Sequence, residues 1–197
     1  MFNELTFVDG TPTPSVAYFG GNPFFPESLN WPVDSSGAPM LHVATFPAEF
    51  LDKYVPTLRV RSDLVVSVFS PYSIADDGYI DRVMTEGGVA LAYRPSSTSI
   101  DRYGSPIAPP KLINVIANPE DDSEENGVAK IGGVPAWVQD EEQRDAMVYV
   151  LQLNNSRLNR AASTHKSILV GGIGYLLLKA DLHHEDLYAG VLIIQTS

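Results

Sequence analysis

The chain has 197 residues, 44% hydrophobic and 19% charged, which is enough for one domain that buries roughly 70% of its unfolded surface. Its 24 acids against 13 bases leave a net charge of −11, which argues against nucleic acid as a direct ligand, because phosphate binding needs a basic face. With no cysteine there is no disulfide, thiolate metal site or cysteine nucleophile, and fifteen glycines and fifteen prolines predict many turns and short elements.

Residues 1–15 are polar and broken by Pro12 and Pro14, and read as an extended arm. Val16–Phe19 is a short strand leading into Gly20-Gly21. Prolines 23, 26, 32 and 39 forbid regular structure over 22–39 and prescribe an ordered loop that plugs Phe24, Phe25 and Trp31 onto the core. Met40–Phe46 reads as a strand and Pro47–Tyr54 as a helix with proline at its start. The clearest strand is Leu64–Phe69, a β-branched run bounded by Asp63 and Pro71. Asp76-Asp77-Gly78 marks a turn, Gly88–Tyr93 a strand, 96–110 a polar linker, and Leu112–Ala117 a strand.

Asn118–Gly127 is an exposed acidic loop. Lys130–Gln139 follows, rich in residues with special backbone demands, and then the acidic run Asp140-Glu141-Glu142. Met147–Leu153 alternates like a strand, and 154–166 is a polar, basic connection. Tyr175–Leu178 and Val191–Ile194 are two more strands, separated by a turn or short helix at Asp181–Asp186.

The order of events repeats. Gly20-Gly21-x-Pro23, Trp31 and strands at 40–46, 64–69 and 89–93 are followed by Gly132-Gly133-x-Pro135, Trp137 and strands at 147–153, 174–178 and 191–194. The offsets are 112, 107, about 109 and about 102 residues. The expected fold is α+β and predominantly antiparallel β: one domain over 1–197, with two similar halves (about 16–95 and 112–197) packed around one core. Each Gly-Gly-x-Pro is a structural corner presenting a buried Trp, since glycine takes positive φ and proline fixes the next step.

Chemistry-bearing patterns are thin. His183-His184-Glu185-Asp186 has no metal-ligand spacing, and neither Glu120–Glu125 nor Asp76–Asp81 has the alternating acids of a calcium loop. Gly171-Gly172-Ile173-Gly174 matches no phosphate-binding pattern, no nucleophile elbow occurs, and His42 and His165 stand alone as core or surface residues. The expectation is therefore no catalytic residue, no metal and no cofactor. The N-terminus lacks a secretory signal and the longest apolar stretch, Ser167–Leu178, is too short and Gly-rich to span a bilayer, so a cytoplasmic location is expected. Charge is the uneven feature: residues 120–145 hold nine acids and two bases, −7 of the total −11.

Gly20–Pro23 through Trp31-Pro32, with Gly37–Leu41, resembles the N-terminal signature of the YwqG-like family, a domain of unknown function. Lys130–Gln139 is similar to that family's second signature, Val148–Leu153 to its next strand, and Gly171–Leu178 with Asp181-Leu182 to its closing segment. One departure is His42-Val43, where the family carries a Gln-Ile pair.

The resemblance implies a mostly β fold with duplicated halves and transfers no catalytic residue. Because such genes often lie beside polymorphic toxin genes, it also implies an immunity protein. The expected function is a cytoplasmic inhibitor of a cognate toxin, a DNase delivered by a type VI secretion system whose basic face it occludes, and neither nucleic acid nor membrane is an expected partner. The expected contacts are the acids Asp121, Asp122, Glu124, Glu125, Asp140, Glu141 and Glu142. The alternatives are a small-ligand or metal-dependent enzyme using a cleft between the halves, and a general protein-interaction module.

Overall fold

In the computed structural model, which describes residues 2–119 and 127–197, twelve strands and three short helices follow the chain. The strands are β1 (Phe2–Asp9), β2 (Tyr18–Phe19), β3 (Leu41–Pro47), β4 (Arg59–Val60), β5 (Val65–Ser70), β6 (Gly88–Tyr93), β7 (Lys111–Asn118), β8 (Lys130–Ile131), β9 (Met147–Asn154), β10 (Ile173–Lys179), β11 (Asp181–Leu182) and β12 (Asp186–Gln195). The helices are α1 (Ala48–Tyr54), α2 (Tyr79–Glu86) and α3 (Asn155–Ala161).

Ten strands close into an antiparallel barrel in the order β1-β7-β2-β3-β5-β6-β12-β10-β9-β8, and β8 returns to β1. β4 and β11 form a separate parallel pair. Closure leaves the barrel itself without a free edge strand to template aggregation.

Alternation along the strands sorts the side chains. Val66 and Val68 of β5 join Leu5, Phe19, Val43, Ala90, Ile131, Leu151, Leu176 and Leu192 in one apolar cluster, which draws on strands all round the barrel and fills its interior. The helices send Leu51, Val83 and Leu158 into the same cluster and so cover the barrel's openings. The opposite face of β5, with Val65 and Phe69, is covered instead by the 22–39 loop, through Phe25 and Trp31. The outer face of β10, with Ile173, Tyr175 and Leu177, is covered by Trp137 and Val138.

Most strand expectations hold within a residue or two, and the mostly antiparallel character is as expected. Four do not. The arm at 1–15 is instead the strand β1, held between β7 and β8 by pairings more than a hundred residues away in sequence. Helix α2 had no sequence expectation; it forms by burying Tyr79 and Val83. The basic connection at 154–166 contains α3, whose first turn is capped where the Asn154 side chain accepts from the amides of Ser156 and Arg157. The expected turn at 181–186 is partly strand, since β12 begins at Asp186. Among the described residues no helix is long and apolar enough to cross a membrane.

Candidate interaction surface

Two loops cross the outside of the barrel, and each begins at a double-glycine corner with positive φ: +72° and +65° at Gly20 and Gly21, +66° and +69° at Gly132 and Gly133. Gly132 donates its N–H to Val150 O at 2.8 Å, which ties the corner to β9. The two tryptophans are half-buried rather than fully buried, unlike the sequence expectation. Trp31 donates Nε1–H to Met40 O at 2.9 Å, and Trp137 lies over Tyr175 with ring centroids 4.3 Å apart. Each needs one open side because a large indole caps its loop instead of entering the core.

Beneath the first loop runs a buried chain of hydrogen bonds. His42 Nδ1 faces Gly21 O at 3.0 Å, a group that only accepts, so Nδ1 carries the proton. Nε2 must then accept from Thr45 Oγ1 at 2.8 Å; Thr45 accepts from Ser67 at 2.6 Å, and Ser67 from the Tyr93 hydroxyl at 2.6 Å. One carbonyl thus sets the direction of the whole chain. Burial lowers the His42 pKa to about 4, against smaller upward effects of backbone hydrogen bonds, so the ring is neutral at physiological pH. His165 is also buried and lowered by desolvation, with Nδ1 on Thr164 and Nε2 on Ser105 O. Both rings are held on each nitrogen by a partner within the protein.

Beneath the second loop the buried polar side chains reach upward to the loop's own backbone. Gln152 Oε1 accepts from Ala136 N at 3.1 Å. The Tyr175 hydroxyl donates to Ala136 O at 2.6 Å and accepts from Val138 N at 3.2 Å. Gln195 Oε1 accepts from the amides of Val138 and Gln139 at 3.1 and 3.0 Å, while its Nε2 donates to Asp140 O at 2.8 Å. Gln139 adds a bond of 2.7 Å to Thr196 O. The backbone is therefore held at Ala136, Val138, Gln139 and Asp140, and Trp137 between them is held by its ring. Asp140 and Glu141, the next side chains along, are exposed.

This geometry carries a direct expectation. Gln195→Met keeps the volume but removes all three bonds to the loop, and should cost about 2 kcal/mol. Amide exchange at Val138 and Gln139 should accelerate at least about tenfold, read residue by residue by NMR. Unchanged protection would mean that the loop is held by something other than Gln195.

Of the acids singled out in the sequence, Asp121, Asp122, Glu124 and Glu125 lie outside the described residues. Asp140, the last residue whose backbone is pinned, is followed directly by Glu141 and Glu142. Glu142 pairs with Arg144 at 3.4 Å and Glu141 accepts from Gln143 at 3.2 Å, both between exposed groups. Such surface contacts contribute about 0–1 kcal/mol and leave the carboxylates available to a partner. The anchoring residues Tyr175 and Gln195 were missed by sequence reasoning. Their signal was a polar atom in an otherwise apolar strand, as in Ile193-Ile194-Gln195, because such an atom needs a partner once buried.

Elsewhere several polar side chains are engaged within the protein. A groove of about 580 Å³ is lined by Tyr72, Asp76, Arg82 and Tyr103 among others. Tyr72 donates to Lys166 O, Tyr103 to Tyr72 O, and Arg82 Nε lies 2.7 Å from Asp34 Oδ2, an ion pair whose N–H does not point at the oxygen. Burial pushes the Asp34 carboxyl up, but hydrogen bonds from Ser36 and Ala38 with the Arg82 charge together outweigh it and hold it low. At 183–186, Glu185 pairs with Arg94, Asp186 with Lys179, and His183 lies 3.6 Å from Asp181. Among the described residues no group of three or more His, Asp or Glu is placed to hold a metal ion.

The fold thus defines a closed antiparallel β-barrel with two looped-over outer faces. No protein-family model matches the chain, and no curated protein matches it by sequence. The resemblance to the YwqG-like family accordingly rests on the quoted residues alone.

Proposed function

We propose that this chain is a binding protein that docks a basic protein partner through the acidic end of the second loop. The observation that carries the reading is the mounting of that loop. Buried Gln152, Tyr175 and Gln195 hold the backbone of 136–140, so Asp140 and Glu141 leave a fixed platform rather than a wandering tail. A pre-positioned acidic surface loses less entropy on binding, and a net charge of −11 speeds encounter with a basic face. The resemblance narrows the partner to a cognate toxin, a DNase among them, which makes the chain an immunity protein that occludes the toxin's active-site face from the cytoplasm. No specific observation favours the enzyme reading.

The test is association with a basic nuclease domain encoded beside this gene, measured at low and at physiological salt. Reversing all three charges (Asp140→Lys, Glu141→Lys, Glu142→Lys) should slow association at least about tenfold and flatten its salt dependence. Affinity and salt dependence that stay at wild-type values would sink the electrostatic reading.

We also infer that the barrel descends from a duplicated half. Exchanging β1, β2, β3, β5 and β6 with β7, β8, β9, β10 and β12 leaves the set of strand pairings unchanged. The first glycine of each corner donates to the same relative place, Gly20 to Val43 O and Gly132 to Val150 O. Each pair β3–β5 and β9–β10 carries a register shift near its corner's neighbour, and a helix follows both β3 and β9. Superposing 2–95 on 111–197 is the check; strands that overlay only in another order would refute common descent.

A further inference from the structure

Eight large apolar side chains stand exposed among the described residues, and three of them meet at one place. Val33 (55% exposed), Leu187 (38%) and Tyr188 (77%) border a groove floored by Trp31, Val89 and Leu91. Its volume, about 290 Å³, falls at the bottom of the roughly 300–1,000 Å³ range of small-molecule pockets and suits a single large side chain. Tyr188 is not loose: its amide donates to Asp186 Oδ1 at 2.8 Å, within the irregular start of β12 that sets the ring beside the groove. A projecting aromatic and an apolar hollow therefore lie side by side on one patch.

Three of the charges around the patch are matched by ion pairs, while Glu86, which accepts from Ser35, adds one negative charge at its edge. Asp186 pairs with Lys179, Glu185 with Arg94, and Asp34, next to Val33, with Arg82. In a chain of net charge −11 this is a nearly neutral surface, so it offers a basic partner little electrostatic advantage. A knob and a hole on the same nearly neutral patch are what a two-fold contact requires, because the rotation that seats one knob seats the other.

We propose that a second copy of this chain docks here, with Tyr188 of each copy filling the groove between Trp31, Val33 and Leu187 of the other. The contact is apolar at its centre, where an aromatic anchor carries most of the binding energy. The two copies repel at long range through their net charges, and added salt screens that repulsion over about 10 Å at 0.1 M. Self-association should therefore strengthen with salt, the opposite sign to docking of a basic partner. The two proposals can fail independently.

Sedimentation equilibrium of the full chain over a wide concentration range, at low and at high salt, supplies the test. A reversible monomer–dimer equilibrium that tightens with salt is expected, weakened at least about tenfold by Tyr188→Asp and by Val33→Asp. Both sites are exposed, so each variant is expected to keep its fold, which circular dichroism melts check. Three results would overturn the proposal: a monomer throughout, a dimer that survives both substitutions, or one that loosens as salt is added.

Discussion

Gly132→Val should lower the stability of this protein by about 4 kcal/mol, a fall of about 10 °C in melting temperature for a chain of this size. Gly132 sits at φ +66°, where an ordinary L-residue costs about 1–2 kcal/mol and a β-branched one more. Space is the larger problem. A Cβ at this position would lie 2.5 Å from Tyr54 O, a backbone oxygen at the end of α1. Neither side yields cheaply, because the Gly132 amide is itself bonded to Val150 O on β9. Gly37→Ala is the control: its φ is +81° but nothing lies within 4 Å of the added carbon, so only the backbone strain remains, about 1 kcal/mol. If the two variants melted together, close packing at the second corner would not be what demands glycine.

Acid should destabilise the fold through His42. Its folded pKa of about 4 lies below the unfolded value of about 6.5, so between those limits the unfolded chain binds a proton that the folded chain refuses. Stability is then fully present above about pH 6.5 and declines as pH falls to about 4, by about 3 kcal/mol in total. The cause is visible in the site: a proton on Nε2 would confront the Thr45 hydroxyl, which donates to that atom, and would charge a group with no access to water. His165 adds to the trend in the same direction. Guanidinium unfolding at intervals from pH 4 to 7.5, for the wild type and His42→Gln, measures the difference in slope. A slope that His42→Gln leaves unaltered would assign the acid sensitivity to other groups.

The sequence by itself determined where most strands lie. Leu64–Phe69, bounded by Asp63 and Pro71, and Met147–Leu153 carry a β-branched or alternating signal, and their ends fall within a residue or two. It also determined the corners, since two consecutive glycines followed by proline restrict the backbone before any neighbour is present. The acidic run at 140–142 was legible for the same reason: charge is a property of composition. Tertiary structure decided the remainder. β1 is a strand because β7 and β8 lie on either side of it, and α2 is a helix because burying Tyr79 and Val83 outweighs the weak helical preference of its sequence. The direction of the hydrogen bonds from Tyr93 to His42 follows from a carbonyl 21 residues before the histidine. Gln195 reads as one polar residue near the end of the chain, and only the closed barrel sets it under Asp140, 55 residues earlier. Local chemistry is written along the chain, whereas a buried polar atom finds its partner only when distant segments meet.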